Sequence, residues 1–348
     1  MSYGILSDIY LSAFTPLGFV SRLGLLCDAE RFDRVVLLKG GSSALRSSLI
    51  AAAAENAESR GKAVTRTICA QDENKLEAAF WDKTAVIDSA PPYCIEPTLP
   101  CAFEEVVWLG SCYDDAVRSM RNELIRLQKS EEECMESARK FLFAADELNK
   151  YNGRAALCCA DIAKIERQAE RAAKKYLRPS KGDVQCCISH GQFSSRTVSL
   201  PSGFALILLQ DSCGGCAALF LKRLFYAVKR MGCEAAVFYS PLAPYDVIDM
   251  LLLPESGVCF AVESEKADIL HAADSVINAR RFTDKQKLSQ ISAQLKQNRR
   301  AAQQLFQRAE QQFIQASCFR QKKEEIYNSF FNNAEFDTLR QSFFDNIF

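Results

Sequence analysis

Two short segments and one scarcity bound the chemistry open to this chain. The first segment is Gly40, Gly41, Ser42, Ser43, Ala44, Leu45, Arg46, Ser47 and Ser48, set between the apolar run Arg34–Lys39 and an alanine-rich stretch. A glycine-rich loop between a buried strand and a helix can close backbone N–H groups around phosphates. A cation then bridges the terminal phosphates and a hydroxyl holds magnesium. Arg46 stands at the cation position, Ser47 at the hydroxyl, and Asp88 ends a later apolar run where a carboxylate could serve the same ion. The second segment is Asp211, Ser212, Cys213, Gly214, Gly215 and Cys216, again after an apolar run and before a helix. Cys213 and Cys216 there have the placement of a dithiol pair, because a helix N-terminus lowers a thiol pKa. Histidine is scarce: His190 and His271 are the only two, and neither has nucleophile or metal spacing. That speaks against a histidine triad or a histidine metal centre.

The elements that must position these segments form an internal repeat. Arg34–Lys39 predicts a buried strand, followed by the glycine-rich loop and a helix that runs to Arg60 and stops at Gly61. Strands are expected at Val64–Cys69 and Thr84–Asp88. Phe204–Leu209, the Asp211 loop, a helix to Met231 stopped by Gly232, and strands Ala235–Tyr239 and Val258–Val262 repeat that order. Asp211 follows Gly40 by 171 positions and Gly232 follows Gly61 by the same 171; Glu263 then matches Asp88 after a four-residue insertion. The repeat accounts for the Cys213/Cys216 segment as a decayed loop without invoking redox chemistry.

Each unit is followed by a helical arm. Apolar residues recur at 3–4 spacing from Val117 to Leu148, with Glu131 intruding, and from Leu288 to Phe319, interrupted by Asn298 and Gln312. Asn152-Gly153 and Asn332-Asn333 are expected turns that fold each arm into a hairpin. The arms either pack within the chain or supply a homodimer or partner surface. Phe330, Phe331, Phe336, Leu339, Phe343, Phe344, Ile347 and Phe348 make an aromatic amphipathic tail that either docks on its own domain or offers a partner-binding helix.

Leu38-Lys-Gly-Gly-Ser-Ser-Ala-Leu-Arg-Ser-Ser-Leu49 resembles the Leu-Lys-Gly-Gly-Pro-Gly-Thr-Gly-Lys-Ser-Thr-Leu pattern of a poorly characterised family of bacterial tandem P-loop ATPases. Ser12–Ser21, Ile87–Tyr93 with Glu96-Pro97, and Trp108-Leu-Gly110 are similar to further segments of that family. The resemblance implies an α/β fold of two tandem P-loop NTPase-like three-layer units with parallel sheets, each followed by a long α-helical hairpin arm. It also implies ATP with magnesium as the cofactor. The departures are as informative. Leu45 replaces the last glycine and Arg46 the lysine, and a planar guanidinium is not equivalent to an ammonium. If positive φ is needed at Leu45, the leucine costs about 1–2 kcal/mol. In the second loop, Asp211 replaces the first glycine, while Cys216, Ala217 and Ala218 replace Gly, Lys and Ser/Thr. Phosphoryl transfer depends on positioning and charge neutralisation, so these losses predict a pseudo-ATPase.

Composition narrows the remaining classes. Lys plus Arg and Asp plus Glu are both 43, which removes the usual electrostatic argument for nucleic-acid or membrane partners. The basic clusters Arg167–Lys175 and Arg299-Arg300 are read as solvated helix faces. Fifteen scattered cysteines suggest reduced thiols packed as small hydrophobes. Met1 to Phe19 lacks a basic lead and carries Asp8, so a cytoplasmic protein is expected. The expected divisions are 1–112 (first α/β domain), 113–182 (arm), 183–283 (second α/β domain) and 284–348 (arm and tail). The leading functional expectation is a scaffold or regulatory module. A weak ATPase using Arg46, Ser47 and, as outer-sphere magnesium partner, Asp88 is the alternative, and a Cys213/Cys216 dithiol protein the third.

Overall fold

The structure is a computed structural model that describes residues 6–180, 182–191, 202–263 and 273–348. In chain order the elements are β1 (Asp8–Ile9), β2 (Ser12–Thr15), β3 (Gly18–Ser21), β4 (Arg34–Lys39), α1 (Ser43–Ser59), β5 (Val64–Ile68), β6 (Leu76–Trp81), β7 (Thr84–Asp88), β8 (Glu104–Trp108), α2 (Arg121–Cys158), α3 (Ile162–Tyr176), β9 (Val184–Ile188) and β10 (Ala205–Gln210). They continue with α4 (Gly215–Met231), β11 (Ala235–Tyr239), β12 (Ile248–Leu253), β13 (Val258–Val262), β14 (Ser275–Asn278), α5 (Lys285–Ser329) and α6 (Asn333–Ile347). Two compact units result. The first comprises residues 7–12, 21–138 and 311–348; the second comprises residues 13–20 and 139–310 together with Leu6.

The two sheets have the same topology. Strand order is β1-β5-β6-β7-β4-β8 in the first unit and β9-β11-β12-β13-β10-β14 in the second. Every neighbouring pair also matches in direction. The repeat seen in the sequence therefore extends to a whole six-stranded sheet. The sheets are mixed rather than parallel, which corrects the expectation, because β6 and β12 run antiparallel to both neighbours. Neither strand stands out in the sequence: β6 is alanine-rich and contains Glu77, and Asp249 breaks the apolar run of β12.

Local chemistry accounts for the helix ends. Ser42 caps α1 by accepting the Leu45 N–H on its side chain, and Gly232 ends α4 in the left-handed conformation that glycine adopts without steric cost. In the first unit α1 and Phe343 of α6 bury Val36, Leu38, Ala79, Trp81 and Val86 on one face of the sheet. In the second, α3 and α4 cover Ile207, Leu209, Val237, Leu251 and Phe260.

The arms need one correction. Asn152-Gly153 is not a turn, because α2 runs through it to Cys158. Gly153 serves a close approach instead: a Cβ on Gly215 of α4 would collide with the Gly153 carbonyl. The second turn forms as expected, with the Asn332 side chain accepting the Ala334 and Glu335 N–H groups at the start of α6. Within the second unit α2 and α5 pair antiparallel, with Leu142, Ala145, Leu295 and Ala302 buried. Asn152 Nδ2 donates to the Leu295 carbonyl (3.1 Å), and Asn298 Nδ2 donates to Asn152 Oδ1 (3.0 Å). Within the first unit the same two helices pair at Glu131, which meets Arg320 (2.9 Å) and Lys323 (2.6 Å). Glu131 and Asn298, which interrupt the apolar stripes, thus face polar partners across the seam.

The aromatic tail docks on the first unit. Phe343 is buried, Phe348 stacks on Trp81 at 5.5 Å, and Phe331 meets Tyr113 edge-on at 5.6 Å. Among the described residues no helix is long and apolar enough to cross a membrane.

Candidate functional site

The first glycine-rich loop lies between β4 and α1, at the carboxyl ends of β4, β7 and β8 where open α/β sheets bind ligands. Gly40 (φ +74°) and Gly41 (φ +64°) make the turn. A Cβ on Gly40 would come within 2.8 Å of the Gly110 nitrogen and 3.2 Å of the Trp108 ring, so glycine is required there for space as well as conformation. The helix begins at Ser43, so Ser43 to Ser48 are helical and only Gly40 to Ser42 remain as loop. Leu45 is therefore in ordinary right-handed helix, and the positive-φ penalty considered for it does not arise.

The sequence-predicted residues converge, but their polar atoms are paired with one another or with neighbouring protein groups. Arg46 is 5% exposed. Its Nε donates to Asp88 Oδ1 (2.7 Å), and its Nη1 donates to the carbonyls of Gly40 (3.0 Å) and Gly41 (2.7 Å). The two glycine carbonyls thus turn towards a cation, where a phosphate cradle would present N–H groups. Ser42 N–H donates to Tyr113 Oη (3.1 Å), and the Arg46 N–H to the Ser42 carbonyl (3.2 Å). The Ser47 hydroxyl accepts the Leu76 N–H (2.8 Å), and the exposed Ser48 hydroxyl donates to the Leu45 carbonyl (2.8 Å). Burial raises the Asp88 carboxyl, outweighing the charge and hydrogen bond of Arg46 and the Ala90 N–H.

Glu324 of α5 completes this site, and sequence reasoning missed it. Its Oε1 accepts from the Ser43 hydroxyl (2.5 Å) and from Lys75 Nζ (2.7 Å), and the carboxylate also takes the Ala44 N–H. A protein carboxylate therefore sits on the first turn of α1, where the helix dipole favours an anion. Burial alone would raise the Glu324 carboxyl, yet the bonds from Lys75, Ser43 and Ala44 leave it below its ordinary value.

The second loop is occupied by different means. Asp211 Oδ1 accepts the Cys213 N–H (3.0 Å) and Oδ2 the Ala217 N–H (2.9 Å), while Gly214 (φ +80°) turns the chain into α4. The Asp211 carboxylate thus takes two N–H groups at the entry to α4 that an anion could otherwise bind. Cys213 is half-buried and Cys216 buried, and neither is in a disulfide. Burial, then the charge of Asp211, pushes the Cys216 thiol up to about 12, the reverse of what a reactive dithiol requires. Among the described residues no group of three or more His, Cys, Asp or Glu could hold a metal ion. His190 Nδ1 lies 2.9 Å from the Gly191 carbonyl oxygen, and His271 lies outside the described residues.

The fold and its two loops define a class: a tandem α/β protein with a strand–loop–helix site at the same position of each sheet. No protein-family model, curated protein or solved structure matches the chain.

Proposed function

We propose that this chain is a degenerate tandem P-loop-type protein of the cytoplasm that acts as a scaffold or regulatory module with little or no nucleotide hydrolysis. One observation carries the reading: the groups that would grip a nucleotide are internally satisfied in both loops. Arg46 is spent on Asp88 and two loop carbonyls, Glu324 occupies the first turn of α1, and Asp211 takes the amides of its own loop. An incoming phosphate would have to displace a buried ion pair, and breaking such a pair costs about 3–5 kcal/mol. The alternative, a weak ATPase using Arg46, Ser47 and Asp88 with magnesium, requires that displacement at every turnover.

Calorimetric titration with ATP and magnesium tests the proposal. The wild-type protein is compared with an Arg46→Met/Asp88→Asn variant, which removes both charges together and so leaves no buried ion unpaired. No saturable heat at millimolar ATP is expected from either protein. Saturable binding to the wild type that is lost in the variant would refute the scaffold reading and establish a working first loop.

A further inference from the structure

The second unit contains a cavity of about 250 Å³ at the carboxyl ends of β10, β13 and β14. Asp211, Glu263 and Arg280 are the Asp, Glu and Arg residues among its lining, and Ala156 and Leu288 supply apolar wall. Its volume falls below the roughly 300–1,000 Å³ typical of pockets for drug-sized ligands, which rules against a nucleotide as occupant.

Charge identifies what would fit. Asp211 is already committed to the Cys213 and Ala217 amides. The Glu263 carboxylate accepts a hydrogen bond from Gln210 Nε2 to Oε1 (3.1 Å), and its second oxygen has no partner among the described residues. Asn278 Nδ2 in turn donates to Gln210 Oε1 (2.9 Å), which fixes that amide. The Arg280 guanidinium makes no hydrogen bond or ion pair among the described residues; only its backbone is engaged, the N–H by the Asn278 side chain and the carbonyl by Thr283. The lining therefore offers one uncommitted cation and one carboxylate with an open oxygen. A simple anion would be opposed by Asp211 and Glu263, and among the described residues no group of three or more His, Cys, Asp or Glu could hold a divalent metal ion. A ligand carrying an ammonium and a carboxylate a few bonds apart satisfies both charges and lays its aliphatic part on Ala156 and Leu288. We propose that this cavity binds a small zwitterion of free α-amino-acid size, with Arg280 taking the carboxylate and Glu263 the ammonium.

The test is calorimetric titration of the full chain with the common free amino acids, one at a time at millimolar concentration. Their N-acetyl and C-terminal amide derivatives and inorganic phosphate are run beside them. At least one free amino acid is expected to bind saturably, and each blocked derivative to bind about tenfold or more weakly, as for loss of a charge-assisted hydrogen bond. Arg280→Gln and Glu263→Gln, both at exposed positions where the fold is not at stake, should each show the same loss. The proposal is overturned if no amino acid binds, if either blocked derivative binds as well as the free form, or if phosphate binds in their place. Wild-type affinity in either variant overturns it too. None of these outcomes depends on the ATP titration, which concerns the first loop.

Discussion

Replacing Glu77 with glutamine should stabilise the first unit, and by an amount that grows with pH. Glu77 is on β6 and 0% exposed, with the Ser12 hydroxyl 3.0 Å from its Oε1. Burial pushes its carboxyl from 4.5 up to about 8, against hydrogen bonds from Ser12 and Tyr93 and with the charge of Asp88 adding to the rise. The unfolded chain releases this proton near 4.5, whereas the folded chain holds it until about 8. Between those values the folded state binds more protons, so stability falls with rising pH by about 1.4 kcal/mol per unit. The penalty reaches about 3 kcal/mol at pH 7 and levels off near 5 kcal/mol above pH 8, ceilings that relaxation around the charge would reduce. Glutamine keeps the shape of the protonated acid and carries no such penalty. Urea unfolding of both proteins at pH 5, 7 and 8.5, with the protection of β6 amides marking the first unit's transition, measures the difference. Groups that do not interact with Glu77 titrate alike in the two proteins and cancel. A Glu77→Gln difference that stays constant across those pH values would refute the argument, because it would mean the carboxyl ionises as it does in water.

Three further outcomes follow from packing and charge. Arg46→Met alone should destabilise the first unit by about 3–5 kcal/mol, because Asp88 is left buried without its partner, while Arg46→Met/Asp88→Asn should recover most of that loss in urea unfolding. Removing Glu335 to Phe348 strips Phe336, Phe343 and Phe348 from the core face and should lower the first unit's melting temperature sharply; unchanged mass by light scattering would show that the tail does not hold an oligomer together. Gly215→Ala should cost the second unit about 1–3 kcal/mol in thermal unfolding, since the new methyl group meets the Gly153 carbonyl, and no cost would show that α2 and α4 do not touch there.

The parts of this fold legible in the sequence are those set by nearby residues. Arg34–Lys39, Thr84–Asp88, Ala235–Tyr239 and Val258–Val262 form strands at the expected positions, because each is a short apolar run bounded by turn residues. The stops at Gly61 and Gly232 are equally local, since each glycine needs only its own helix to explain it. Non-local features were hidden. β6 is a strand because β5 and β7 flank it, not through the propensity of Leu-Glu-Ala-Ala-Phe-Trp. Asn152-Gly153 has turn composition, but the polar and small residues there match Asn298 and Gly215, which lie far away in the chain. The site divides the same way. Arg46, Ser47 and Asp88 could be placed together from the order of strand, loop and strand. Glu324 could not, because an acidic residue in a charged stretch of a long helix carries no sign of the helix N-terminus it will reach.

The two loops arrive at one electrostatic end by separate routes. A helix N-terminus buried under a domain leaves amides that must be paired, and an orphaned amide costs about 1–3 kcal/mol. In the first loop a distant carboxylate, Glu324, meets that need, and a buried arginine neutralises Asp88. In the second, Asp211 does so within its own loop, and Ala217 stands where the first loop has Arg46. Without such carboxylates these groups would be left unpaired or dependent on water. Here Glu324 and Asp211 make the bonds themselves, so each unit can hold its strand–loop–helix framework without a bound anion.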